Sequence, residues 1–97
     1  MDTDLADLIA RTIAVIRDRL PASHPARSAL SSNVETARHG DPEIAIDDVS
    51  QALQYFDTPI RAEEFQALYA AAAHFSMVDS LEGIVIIPPD DALPPRF

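Results

Sequence analysis

The chain has 97 residues, of which 47% are hydrophobic, so it can bury one modest core and form a single domain spanning residues 1–97. It has seven arginines and 16 acidic residues, for a net charge of −9. This charge favours a basic partner and disfavours binding to nucleic acid or to an anionic membrane surface. The absence of cysteine excludes disulfides and thiolate metal sites. Because neither a secretory signal nor an apolar run of about 20 residues is found, we expect a cytoplasmic protein.

The negative charge is distributed unevenly along the chain. Residues 1–40 are neutral overall, whereas residues 41–82 carry nine acids against Arg61 alone, a net charge of −8, and the remaining residues add −1. Two interpretations stay open at this point. The acids keep a small protein soluble, or they form an acidic face on which a partner docks.

Two helices are predicted in the first forty residues. Residues 3–20 place apolar side chains every three or four positions, which is the spacing of one buried helical stripe, at Leu5, Leu8, Ile9, Ile13, Ile16 and Leu20. A proline at position 21 ends this helix. Residues 25–39 show a weaker stripe, which the Ser-Ser-Asn stretch at 31–33 could interrupt, and Gly40 supplies a left-handed stop.

Two further helices are predicted over 42–57 and 61–77. Asp41 caps the third helix and Pro42 occupies its first turn, and its buried stripe comprises Ile46, Val49, Leu53 and Phe56. The fourth helix follows Pro59, and its buried stripe comprises Phe65, Leu68, Tyr69, Ala72 and Phe75. Short connections between successive helices favour antiparallel neighbours. We therefore predict an all-α fold, an antiparallel four-helix bundle.

The tail over residues 78–97 has a different composition. Residues 80–83 are typical of a turn, and the β-branched run from Ile84 to Ile87 predicts an extended segment laid over the bundle. Four prolines prevent regular structure beyond it, at positions 88, 89, 94 and 95. The predicted fold thus ends in an extended, Pro-rich C-terminal tail.

The residues that usually carry catalysis form no recognisable pattern. His24, His39 and His74 fall in a linker, at a helix end and on an outer helix face, and no two of them have the i+4 spacing of a helical His pair that binds a metal. Neighbouring carboxylates splay apart on a helix, and the two glycines stand alone, so neither an acid–base pair nor a phosphate loop is indicated. We expect no enzyme, no metal site and no cofactor.

The outer face of the third helix combines apolar and acidic side chains. A helical wheel at about 100° per residue turns Ile44, Asp47, Asp48, Gln51 and Tyr55 away from the buried stripe. An aromatic anchor ringed by charge is a common feature of protein interfaces. The alternative is that the tyrosine and the isoleucine pack on a neighbouring helix or on the tail.

Three more carboxylates extend this predicted partner-binding surface. Asp57 lies in the turn after the third helix, and Glu63 and Glu64 open the fourth helix, so a short turn could bring the three together. Their alternative role is to stabilise the positive end of the fourth helix.

The segment over residues 33–76 resembles small bacterial immunity proteins of the MafI type and the related immunity proteins of contact-dependent inhibition. It has a Gly-acid turn, an Ala-rich amphipathic helix, an aromatic-Asp step, a Pro-Ile pair, and a helix with an early acidic pair. Here these are Gly40-Asp41, Ala45 to Leu53, Phe56-Asp57, Pro59-Ile60 and Glu63-Glu64-Phe65.

The resemblance implies a protein that neutralises the toxin domain of its own strain by direct stoichiometric binding. Many such toxins are nucleases, whose phosphate-binding surfaces are basic, so an acidic inhibitor would be attracted to them. A free monomer that uses no cofactor is expected. The alternative is a helical adaptor or regulatory protein acting as an obligate homodimer through the Ala-rich fourth helix, at Ala67, Ala70, Ala71 and Ala73.

Overall fold

The computed structural model describes residues 2–87, and four α-helices account for most of them. These are α1 (Asp2–Arg19), α2 (Ala26–Arg38), α3 (Pro42–Tyr55) and α4 (Ala62–His74), followed by a short 3₁₀ helix over Val78–Leu81. The prediction of a mostly helical fold is confirmed. The antiparallel bundle arrangement, by contrast, stays a prediction.

One apolar cluster is built from the inner stripes of all four helices. Helix α1 packs most extensively on α2 and also on α4, and α2 packs on α3, whereas α3 and α4 share only a small contact. The largest side chains that are fully buried come from every helix and from the segment before α4. They include Ile9, Ile13, Ile16, Leu30, Ile46, Leu53, Ile60 and Leu68.

Three of the helices end in the same left-handed turn. Gly40 closes α2 at φ +93°, Asp57 closes α3 at φ +50° and Ser76 closes α4 at φ +59°. In each turn the next N–H group bonds to a carbonyl oxygen five residues earlier, which is the Schellman arrangement. The sequence predicted the glycine stop, but Asp57 and Ser76 are not glycines, so α3 and α4 end two and three residues earlier than predicted.

The serine-rich stretch at 31–33 does not interrupt α2. The helix runs through it unbroken, and Asn33 is buried with 5% of its surface exposed. In the part of the chain that the structure describes, the Asn33 Nδ2 atom has no hydrogen-bond partner. Packing against α1 and α3 therefore outweighs the poor helix propensity of this stretch.

A second departure concerns Tyr69 of α4, which the sequence predicted to be buried. It is 48% exposed, because the helix turns Leu68, Ala71 and Ala72 toward the core instead. Its ring lies against that of Phe65, with 6.0 Å between the centroids.

The segment after the 3₁₀ helix is extended, as predicted, and pairs with the chain before α4. Strand β1 (Ile60–Arg61) and strand β2 (Ile86–Ile87) run parallel, with Ile60 opposite Ile86. The four prolines of the predicted Pro-rich tail lie outside the described residues.

The inner side of α3 holds this C-terminal segment. The Ser50 hydroxyl donates to the Ser80 carbonyl oxygen, and Gln54 Nε2 donates to Ser50 Oγ at 3.0 Å. The Gln54 amide lies directly against Gly83, where a Cβ atom would come within 2.4 Å of Gln54 Oε1. Helix α3 therefore carries the C-terminal segment on one side and leaves its outer face uncovered by the described residues.

Candidate functional site

The outer face of α3 carries one continuous exposed stripe. Ile44, Asp48, Gln51 and Tyr55 are spaced by four, three and four residues, which keeps them on one side of the helix. The 11 residue steps from Ile44 to Tyr55 span about 16 Å at the rise of an α-helix. Tyr55 is 81% exposed and Ile44 is 53% exposed. Packing of these two side chains against a neighbouring helix is therefore wrong among residues 2–87, and packing on the tail beyond residue 87 lies outside the described residues.

Asp47 borders this stripe and is held in place by it. The Gln51 Nε2 atom donates a hydrogen bond to Asp47 Oδ2 at 2.8 Å, one helical turn away. The Asp47 side chain is half-buried, whereas Asp48 is exposed. Of the two adjacent aspartates, Asp48 is thus the more available to a partner, and the carbonyl oxygen of Gln51 remains as the outward acceptor of its amide.

A groove lies between α2 and the C-terminal half of α3, next to the stripe. Its volume is about 510 Å³, and it is lined by Ala29, Gln51, Ala52, Gln54, Tyr55 and Phe56. The rings of Tyr55 and Phe56 meet edge to face, with centroids 4.8 Å apart and an interplanar angle of 89°. The sequence did not predict this groove, because the groove depends on the approach of Ala29 of α2 to the end of α3.

Asp57 follows the stripe at the end of α3. Its positive φ is a conformation that Asp tolerates better than most residues. Asp57 is exposed and lines a second groove of about 340 Å³ with Pro59, Gly83 and Val85. The Asp57 carboxylate thus extends the acidic surface of α3 toward the C-terminal segment.

The two glutamates that open α4 have different surroundings. Glu64 is 6% exposed, and its Oε1 atom accepts the Arg61 backbone N–H at 2.8 Å while its Oε2 atom accepts from the Arg19 guanidinium. Glu63 is exposed and lines a groove of about 300 Å³ between α1 and α4. Glu64 is therefore too buried to belong to the predicted partner-binding surface. Its contacts fit the alternative role, which is to stabilise the start of α4.

The gathering of the three carboxylates stays a prediction. Asp57 and Glu63 line different grooves, and Glu64, which lines the same groove as Glu63, is only 6% exposed. The candidate surface is reduced to the α3 stripe, the bordering Asp47, the groove beside Tyr55, and Asp57. Glu63 is exposed but lies on the α1 side of α4.

A different carboxylate, Asp18 on α1, has an altered pKa. The hydrogen bond from Arg17 Nε to Asp18 Oδ1, 2.9 Å long, lowers the pKa of Asp18 below its ordinary value. Burial opposes this shift in the pKa of Asp18, and the charges of Arg17 and Arg27 assist it to a smaller extent. Asp18 is exposed and lies outside the α3 surface, so this pKa shift bears on local stability rather than on the candidate site.

The histidines also lie outside the α3 stripe. His24 Nδ1 accepts the Ala26 N–H at 3.1 Å, His39 Nδ1 lies 2.8 Å from the Glu35 carbonyl oxygen, and His74 meets the ring of the next residue edge to face. Residues 2–87 contain no group of three or more His, Asp and Glu side chains that could hold a metal ion. Within that same range, no helix is long and apolar enough to cross a membrane.

Comparison with known proteins gives no further assignment. No family model, no curated protein and no solved structure matches this chain. The candidate site therefore stands on its own geometry: an exposed, acidic and aromatic helix face with a groove along one side.

Proposed function

We propose that this chain is an immunity protein that neutralises a cognate bacterial toxin domain by direct, stoichiometric binding through the outer face of α3. The observation that carries the proposal is the exposure of Tyr55 and Ile44 at the two ends of a stripe that also bears Asp48. Large apolar side chains left in water beside charge are a typical feature of binding surfaces.

The distribution of charge supports a basic partner. Five acids and no arginine or lysine lie between Arg38 and Arg61, the segment that contains α3. A surface of one charge sign raises the rate at which an oppositely charged partner is encountered, and the effect weakens with salt. A toxin with a basic substrate-binding surface, such as a nuclease, fits this requirement.

The proposed mechanism is binding without catalysis. A central aromatic anchor surrounded by polar groups can supply most of the affinity of an interface of about 800 Å² per partner. Inhibition then follows either because the toxin's active site is covered or because an adjacent exosite is held. The free protein is proposed to be a monomer, which keeps the α3 face available.

The functional test is co-expression. The C-terminal domain of a large secreted protein encoded immediately upstream would be expressed with and without this chain, and rescue of growth is the expected result. A domain whose toxicity this chain does not relieve, or an upstream gene of another kind, would contradict the assignment.

A binding measurement locates the interface. Calorimetry with the purified toxin domain should show that Asp48→Arg combined with Tyr55→Ala weakens binding by at least about 100-fold. The matched control is Glu35→Arg combined with Tyr69→Ala, which changes the net charge equally and removes an exposed tyrosine from another surface. Equal effects from the two pairs would show that the α3 face is not the interface.

The alternative function is a helical adaptor that acts as an obligate homodimer through α4. It is supported by the exposure of Ala70 and Ala73 beside the half-exposed Tyr69, which would let a second helix approach closely. Ala71 is fully buried in the chain's own core, so this surface is narrower than the alanine run suggests. Light scattering coupled to size exclusion, applied to wild type and Ala70→Arg, distinguishes a dimer from the proposed monomer.

A further inference from the structure

The groove beside Tyr55 has an aromatic wall and a small-residue floor. Tyr55 and Phe56 form the wall, and Ala29 and Ala52 leave the volume of about 510 Å³ because neither fills it. The Tyr55 ring meets the Phe56 ring edge to face and is 81% exposed. A flat group could therefore stack on the open part of this aromatic surface.

The polar atoms at the groove include an acceptor for a ligand that donates hydrogen bonds. Gln51 uses its Nε2 atom on Asp47, and Gln54 uses its Nε2 atom on Ser50. Each amide keeps its carbonyl oxygen and one further N–H, and no group within residues 2–87 donates to the Gln51 oxygen. A ligand entering between α2 and α3 thus meets an acceptor on Gln51, and the Asp47 carboxylate that Gln51 bonds lies outside the lining of the groove.

The surrounding charge favours a cation. The nearest arginines along the chain, before and after α3, are Arg38 and Arg61, and the intervening segment holds five acids. On α2 itself, Arg27 is engaged elsewhere, because its guanidinium donates to the carbonyl oxygens of Arg17 and Leu20 at the end of α1. The chain supplies no cation of its own on α3 to occupy the groove.

We infer that this groove binds an arginine side chain of the protein partner. A guanidinium is planar, always charged and rich in donors, so it can stack on the Tyr55 ring while it donates to the carbonyl oxygen of Gln51. A lysine ammonium satisfies the charge but cannot stack as a plane. That the arginine belongs to a toxin rests on the proposed function, whereas the preference of the groove for a guanidinium does not.

The test uses a small arginine probe and the full chain. Nα-acetyl-arginine methylamide would be titrated into ¹⁵N-labelled protein at constant ionic strength and followed by amide chemical shifts. The comparison probes are the lysine analogue and the citrulline analogue, which has nearly the shape of arginine without its charge. The expected shifts are confined to Ala29 and residues 51–56, and the arginine probe binds about 2- to 5-fold more tightly than either comparison probe.

Two variants test whether the arginine probe binds in the groove beside Tyr55. Tyr55→Ala should reduce the affinity for the arginine probe by about 2- to 5-fold, and the exposed position of Tyr55 leaves the core intact. Tyr69→Ala removes a tyrosine from α4 and should leave the affinity unchanged. Equal binding of arginine and lysine, equal binding of citrulline, shifts scattered over other acidic surfaces, or no effect of Tyr55→Ala would each overturn the inference.

This test separates the inference from the proposed function because it uses no toxin. If the arginine probe fails while the toxin domain still binds through α3, the groove is not an arginine site but the immunity function holds. If the probe binds as expected while no toxin is neutralised, the groove preference holds and the proposed function fails.

Discussion

Replacement of Glu64 by glutamine tests the division of roles between the two glutamates that open α4. Glu64→Gln keeps a carbonyl oxygen for the Arg61 N–H but removes the negative charge that faces the Arg19 guanidinium. Glu63→Gln is the matched control, because Glu63 is the exposed neighbour in the same helical turn. Both variants lose one negative charge beside the same helix N-terminus, so the comparison isolates the ion pair.

The expected difference follows from the burial of the pair. The Glu64 side chain is 7% exposed and that of Arg19 is 23% exposed. Removing one member of a fully buried pair costs about 3–5 kcal/mol, but the partial exposure of Arg19 lets water solvate the orphaned charge. We therefore expect Glu64→Gln to lower the free energy of unfolding by about 2 kcal/mol and Glu63→Gln by about 0.5 kcal/mol or less.

Urea denaturation followed by circular dichroism measures both values. For a domain of this size, the loss of 2 kcal/mol should lower Tm by about 8–16 °C. Equal destabilisation by the two variants would refute the view that Glu64 joins α1 to α4. Affinity for the partner, measured at a temperature where both variants are folded, should be unchanged by Glu64→Gln because the side chain does not reach the surface.

Two further predictions concern the helix ends. Gly40→Ala should lower the free energy of unfolding by about 1–2 kcal/mol because of its left-handed φ alone. Gly83→Ala should lower it by about 1 kcal/mol more, because the new Cβ displaces Gln54 from its hydrogen bond. Equal losses for the two variants in urea denaturation would contradict the Gln54 contact. Arg17→Gln should raise the pKa of Asp18 in carboxyl-detected NMR. Because that pKa is lowered in the folded chain, the associated stability is present above the unfolded pKa and is lost as pH falls through the folded pKa; an unchanged Asp18 pKa in the variant would show that Arg17 is not its main cause.

The positions of the helices could be predicted because each has an apolar stripe of period 3.6, although the stripe of α2 is weak, and because Pro21, Gly40 and Pro59 separate them. The stripes of α1 and α3 are the strongest of these, and Ile46, Val49 and Leu53 are all buried as predicted. The outward direction of Tyr55 followed from the same periodicity. Local spacing is enough for such predictions, since the burial of one helix face determines the exposure of the other.

The ion pair of Glu64 could not be predicted from the local sequence. Glu64 is the third residue of α4, so its bond to the Arg61 N–H is a local capping contact. Its other partner, Arg19, lies 45 residues earlier in the chain, and no local pattern indicates that contact. The groove beside Tyr55 likewise depends on the approach of α2 to α3. Contacts between distant segments leave no periodic signal, so their consequences require the fold.

The acidic surplus of the chain therefore divides into two parts with different consequences. Glu64 serves the fold, because its carboxylate pairs with Arg19 and its replacement should weaken the contact between α1 and α4. Asp48 is exposed and makes no comparable contact within residues 2–87, so its charge remains on the proposed binding surface. Because α3 is anchored by its inner stripe and by Ser50, its outer face can change in sequence without loss of stability. A recognition surface that must match a variable partner requires that the residues for binding differ from the residues for folding. Because these residues differ, the variants proposed above measure binding and folding independently.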